Sequence, residues 1–180
     1  KLRRAQDAIT QMRPYAHKLQ DMLSNIISSL EGDMNLALAE QRTVNNVLFI
    51  VVTSDRGLCG GYNANLVKMT RATIAEKYPT QNVTIWNIGK KGYESLSKLG
   101  FNTNADFKDI FLNLKFETVQ AAAKAAMKAF ENKEFDAIEI VYSEFKNAAT
   151  QEFKSEPFLP IPKMEKKANA KKTDFIFEPQ

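Results

Sequence analysis

The chain has 180 residues, 44% of them hydrophobic, which supports one α/β domain with a real core plus an appended helix and leaves little for a second core. Its 25 basic and 21 acidic residues give a net charge of +4, too mild to argue for nucleic acid and suited to acidic partners met at a few points. Cys59 is the single cysteine, so an internal disulfide is excluded, and no run approaches the ~18 apolar residues of a membrane span.

The first predicted element is a long helix over 1–32. Leu2, Ala5, Ile9, Met12, Ala16, Leu19, Leu23, Ile26 and Leu30 alternate spacings of three and four, the seam of a coiled coil. Such a helix runs roughly 40–45 Å, more than a small sheet needs as cover. Its seam calls for a partner, and no second heptad run of that length follows. The alternative is an amphipathic helix lying on its own domain, with Pro14 off the seam. His17 falls on the outer side, and Lys1, Arg3 and Arg4 form a small basic cluster that by itself reads as a solvated face. Residues 33–46 are a polar connector with a short helical turn over Leu36 to Ala39.

The α/β core is expected over 47–162. Val47 to Val52 are six consecutive apolar residues, a strand covered on both faces. A bend containing Gly57, Gly60 and Gly61 follows, then a helix capped by Asn63, with Leu66, Thr70, Ile74 and Tyr78 inward and Pro79 as its stop. Val83 to Ile88 is a second strand. A helix from about Lys91 turns Tyr93, Leu96 and Leu99 inward and ends at Gly100. Thr103 to Phe107 reads as a short edge strand, and Glu117 to Phe130 as a covering helix with Val119, Ala123, Met127 and Phe130 on one side.

A strand in which Ile138, Ile140 and Tyr142 alternate with Glu139 and Val141, and another over Gln151 to Leu159, pair antiparallel. Pro157, Pro160 and Pro162 bar regular structure. Residues 163–173 carry five lysines and read as a mobile linker, and 174–180 return with the apolar run Phe175, Ile176, Phe177. The predicted fold class is α/β: a Rossmann-like, mostly parallel sheet with covering helices, plus the long N-terminal coiled-coil helix and an antiparallel strand pair.

The glycines after the first strand are G-x-x-G-G, where a dinucleotide fingerprint needs G-x-G-x-x-G and an acidic residue ending the next strand; that place holds Asn87. A phosphate loop is also missing, since Tyr62 follows Gly61 with no lysine or hydroxyl pair in register. The glycines read as a tight turn with close helix–sheet packing. Asp55 and Arg56 fix the loop by hydrogen bonds rather than act as catalysts. His17 and Cys59 lie too far apart in the pattern for nucleophile and base.

As a whole, TSDRGLCGGYNANL closely resembles the signature after the first strand of the gamma subunits of F-type ATP synthases, the rotor shafts of those machines. KLRRAQDAITQMRPYA resembles the lower part of that family's first long helix, and DFIFEP the segment before its last one, in the family's order. The resemblance makes Ser54, Asp55, Arg56, Gly57, Gly60 and Gly61 a structural signature.

It implies a non-catalytic rotor subunit without cofactor or small-molecule substrate, coupling proton-driven rotation to ATP synthesis. The implied partners are the alpha and beta subunits, the epsilon subunit and the membrane c-ring, not nucleic acid. Lys1, Arg3 and Arg4 would lie near an acidic loop of the beta subunits. Phe175 and Phe177 would lie near the ring, where the family often has tyrosines, so they keep the aromatic character without the hydroxyls.

The orphan seam is then matched by a last helix expected beyond Gln180, the chain being a fragment. The expected place is the cytoplasmic face of a bacterial inner membrane, or the matrix side of the mitochondrial one. The rival readings are a Rossmann-type nucleotide-binding enzyme and a nucleic-acid adaptor.

Overall fold

The computed structural model describes residues 37–55, 61–113, 116–145 and 151–160. The predicted coiled-coil helix, the lysine-rich linker and the return segment lie outside them, and so do Lys1, Arg3, Arg4, His17, Arg56, Gly57, Cys59, Gly60, Phe175 and Phe177. In chain order the elements are β1 (Asn46–Val52), α1 (Tyr62–Lys77), β2 (Asn82–Ile88), α2 (Lys90–Lys98), β3 (Asn102–Asn104), a 3-10 turn (Ile110–Asn113), α3 (Phe116–Glu131), β4 (Ala137–Phe145) and β5 (Gln151–Leu159).

They form one sheet in the order β3-β2-β1-β4-β5. β1 pairs parallel with both β2 and β4, β2 pairs parallel with β3, and β4 pairs antiparallel with β5. A central strand with parallel neighbours on each side needs helical crossovers, and these cover it. Val47 to Val52 are therefore buried on both faces, as the unbroken apolar run predicts.

Alternate residues of β1 divide the core. Leu48, Ile50 and Val52 pack with Val119, Ala123, Met127 and Phe130 of α3. Val47, Phe49 and Val51 pack with Tyr62 and Leu66 of α1 and Leu96 of α2. The spacing read for α3 is thus its buried side. α2 ends with Gly100 at φ 87°, the Gly100 and Phe101 N–H groups bonding back to the carbonyls of Ser97 and Leu96.

Four sequence expectations need correction. Leu99 is 48% exposed, because it lies one residue past α2 instead of in its inner stripe. The third strand is Asn102–Asn104, and Ala105 to Phe107 turn away from it. Pro157 sits inside β5, which tolerates it because β5 is an edge strand and its register slips beside Pro157, at Ile138/Glu139. The slip lets the consecutive residues Phe158 and Leu159 both pack on the α3 side.

The fourth is the alternation in β4. Glu139, which reads as a solvent position, is 1% exposed on the α1 side, opposite Phe49 in the register. Its Oε1 accepts a 2.6 Å hydrogen bond from Lys77 Nζ at the end of α1, and Tyr78 stacks edge-on to Phe49 beside it. Burial pulls the Lys77 ammonium down, but the hydrogen bond and charge of Glu139 outweigh it and hold its pKa above the ordinary 10.5.

Lys77→Met strands a buried carboxylate, and the expected loss is about 1–3 kcal/mol, below the cost for a wholly buried pair because Lys77 reaches water. The double variant Lys77→Met/Glu139→Leu should recover to within about 1 kcal/mol of the parent in urea unfolding, because an apolar pair needs no charge partner. A raised lysine pKa stabilises fully below the unfolded value and loses its effect as pH rises through the folded one. The parent should therefore lose this increment only above pH 10.5, and the double variant should not.

Candidate functional site: the turn after the first strand

The most distinctive stretch of the sequence begins where β1 ends. Thr53 and Ser54 are 0% and 1% exposed, and Thr53 N–H still bonds the Ile88 carbonyl of β2 at 2.8 Å. Beyond this point the sheet supplies no partners, so the polar groups of 53–55 must find others. They find the start of α2. Lys90 N–H donates to Asp55 Oδ1 at 2.9 Å, Lys91 N–H to the Ser54 carbonyl at 3.1 Å, and Gly92 N–H to Thr53 Oγ1 at 2.8 Å.

Three successive amides of a helix's first turn, which have no partner inside the helix, are thereby satisfied by three successive residues of another element. This fit requires α2 to approach very closely. A Cβ on Gly89, at φ 110°, would stand 2.2 Å from the Thr53 carbonyl oxygen, and one on Gly92 would stand 2.8 Å from Thr53 Oγ1. Gly89 and Gly92 are the residues that sequence reasoning missed, and Thr53 with them. The pattern was present as two glycines flanking the start of a helix.

Asn63 does not cap α1. The N-cap is Gly61, with no side-chain cap bond, and the Asn63 carboxamide instead holds Ser54. Its Oδ1 accepts Ser54 N–H at 3.0 Å and its Nδ2 donates to Ser54 Oγ at 2.8 Å. The two ends of the glycine-rich loop are tied to each other. Of the predicted signature, Ser54, Asp55 and Gly61 are placed here, while Arg56, Gly57 and Gly60 lie outside the described residues. Asp55 fixes the local shape by a hydrogen bond, as read from the sequence, although the partner is a second helix.

The chemistry of this end of the sheet is limited. Asn87, where a dinucleotide fold presents an acid to a ribose, is 0% exposed beneath Gly92, and neither atom of its amide has a hydrogen-bond partner. The first turn of α2 is occupied by its own chain. One apolar cavity of about 20 Å³ lies between the sheet and α3, lined by Trp86, Phe107 and Phe158 among others, with no polar group suited to a substrate. Among the described residues no cluster of three metal-ligating side chains occurs.

Thr53→Val leaves the Gly92 amide unsatisfied and should cost about 1–3 kcal/mol. Gly92→Ala overpacks the same contact at a similar cost of about 1–3 kcal/mol. Because both act on one contact, urea unfolding of the double variant should show a loss smaller than the sum; strict additivity would refute the assignment.

The sequence model of the family described as ATP synthase matches residues 1–180. The ATP synthase gamma chain of Cytophaga hutchinsonii is 44% identical over 186 residues, covering 99% of this chain and 63% of the relative. That of Flavobacterium johnsoniae is 42% identical over 179 residues, covering 99% and 62%. The chain therefore spans somewhat less than two thirds of these relatives' length. Among solved structures, a chain of the Tetrahymena thermophila mitochondrial ATP synthase central stalk/c-ring aligns with a TM-score of 0.51 at 19% identity, over 98% of this chain and 86% of that one, so the two share a fold. Matched by the family's sequence model from its first residue to its last, the chain belongs to the ATP synthase gamma-chain family.

Proposed function

We propose that this chain is the base and one strand of the shaft of a central rotor, a non-catalytic subunit that couples proton-driven rotation of a membrane ring to ATP synthesis on surrounding alpha and beta subunits. The observation behind it is the fate of the signature's polar groups. Thr53, Ser54 and Asp55 are engaged in holding α2 and the loop, not aimed into a cavity. Such a turn suits a body that must turn as one piece. The match along the whole chain to gamma chains supports the same reading and disfavours a nucleotide-binding enzyme.

In this reading 1–32 is the shaft helix, 33–46 the connector, 47–162 the base, 163–173 a linker, and 174–180 leads toward a second shaft helix. Lys1, Arg3 and Arg4 face acidic groups of the catalytic subunits, and Phe175 and Phe177 lie toward the ring, with the epsilon subunit also in contact. No helix among the described residues is long and apolar enough to cross a membrane, in keeping with a peripheral position. The bacterial relatives support the cytoplasmic face of an inner membrane.

The full-length gamma chain, assembled with alpha and beta subunits and the ring in vesicles, should support proton-driven ATP synthesis, while the gamma chain alone should show no saturable binding of ATP. Saturable nucleotide binding by the isolated chain would overturn the reading. Changing Lys1, Arg3 and Arg4 together to Gln should slow turnover by no more than about a hundredfold, since three exposed pairs contribute about 0–1 kcal/mol each. The deficit should shrink when ionic strength is raised, because the parent then loses the same attraction.

A further inference from the structure

We infer that Arg42 is the positioning residue of a rigid joint that fixes the connector, and hence the chain preceding residue 37, to the α/β base. The inference rests on the rotor reading. The connector enters the described structure at Ala37, and Leu38 is 0% exposed within the α3-side core. Four residues later the Arg42 guanidinium gathers three elements. Its Nη2 donates to the carbonyls of Phe130, in the last turn of α3, at 2.9 Å and of Phe135, at the entrance to β4, at 2.7 Å. Its Cζ lies 4.1 Å from the centroid of the Phe130 ring, and Nε stands 3.5 Å from Asp136 Oδ1.

Asp136 completes the joint from the other side. Its Oδ2 accepts the N–H groups of Asn45 at 2.9 Å and Asn46 at 3.0 Å, and its own N–H donates to the Asn46 carbonyl at 2.8 Å. Burial pushes the Asp136 carboxyl up, but the Asn46 and Asn45 amides and the Arg42 charge outweigh it and hold its pKa below the ordinary 3.8. It is therefore ionised throughout the neutral range.

The connector is thus pinned at 38, at 42 and at 45–46, over fewer than ten residues. The Arg42 and Asp136 side chains are only 12% and 13% exposed, so solvent screens the pair far less than a surface bridge. A guanidinium can meet two carbonyls, a carboxylate and a ring face at once. An ammonium on a flexible stem cannot hold that geometry. This short segment is the covalent link between the base and the chain before residue 37, and Arg42 holds it to the end of α3 and the entrance to β4.

The test uses the full-length gamma chain in the assembled complex, with orientation probes on the base and on the segment preceding residue 37. Arg42→Gln removes about half of the joint's polar contacts. The angular variance between the two probes is expected to rise about twofold if those contacts act in parallel. Arg42→Lys should fall between, and Lys124→Gln on the exposed side of α3 should leave the variance at the parent value.

A variance unchanged in Arg42→Gln overturns the joint, even if thermal stability falls, since a merely structural arginine would lower stability without loosening the angle. Where Arg42→Gln does not assemble, Arg42→Lys decides by the same reading. Failure of the rotor reading shows separately, as an unmodified complex whose base does not turn during ATP hydrolysis.

Discussion

A central strand flanked by parallel partners on both sides has no solvent face, and most of this fold follows from that constraint. β1 must be apolar at every buried position, Val47 to Val52, each neighbour must be reached through a helical crossover, and helices must end up on both faces. At Val52 the ladder stops, yet the chain is still inside the protein. Thr53 and Ser54 are as buried as the residues before them, and beyond the Thr53 N–H their hydroxyl and remaining backbone groups need partners that the sheet no longer offers. The first turn of α2 has the opposite shortage, of acceptors for its amides. Joining the two satisfies both, provided nothing larger than hydrogen stands at Gly89 and Gly92. The βα turn is thus a structural lock, and its unusual residue string has a physical cause independent of any ligand.

The two buried charge clusters differ in what they can contribute. Glu139 has one cationic partner, Lys77, whose side chain is 43% exposed, so the pair at best balances the cost of taking a carboxylate out of water. Arg42 and Asp136 are both largely buried; Arg42 Nη2 meets two backbone carbonyls and Asp136 Oδ2 two backbone amides, which raises the value of each contact in a low dielectric. The second cluster also links segments about 90 residues apart in sequence, whereas the first tethers the end of one helix to a strand beneath it. Geometry therefore favours Arg42 and Asp136 as the site where rigidity is concentrated.

The fold was legible where periodicity or uniformity carried the information. Val47 to Val52 announced a doubly covered strand, the Val119, Ala123, Met127 and Phe130 stripe announced the side of α3 that packs, and Gly100 marked the end of α2. Where the deciding partner lay far away in sequence, local pattern misled. Asn63 has the residue type and place of a helix cap, but Ser54 competes for its carboxamide and wins. Glu139 sits at a polar position in an alternating strand, but parallel pairing with β1 covers that face too. The joint at Arg42 could not be read at all, because two of its partners are backbone carbonyls, which leave no mark in the sequence, and Asp136 lies far along the chain.

The same locks explain why this end of the sheet is a poor place for chemistry and a good one for mechanics. An open α/β sheet commonly binds ligands beyond the carboxyl ends of its strands because helix N-termini there keep free amides for an anion. Here the amides at the start of α2 are already bonded within the chain, and Asn87 is sealed beneath that helix. What is lost in binding capacity is gained in stiffness, since an interface whose helix amides are bonded within the chain and whose glycines leave no space for a side chain has few alternative arrangements to visit. If the chain serves as the rotor proposed above, this stiffness is what the role requires, because a rotor works through the difference in contact free energy between angles and compliance in its base would dissipate that difference.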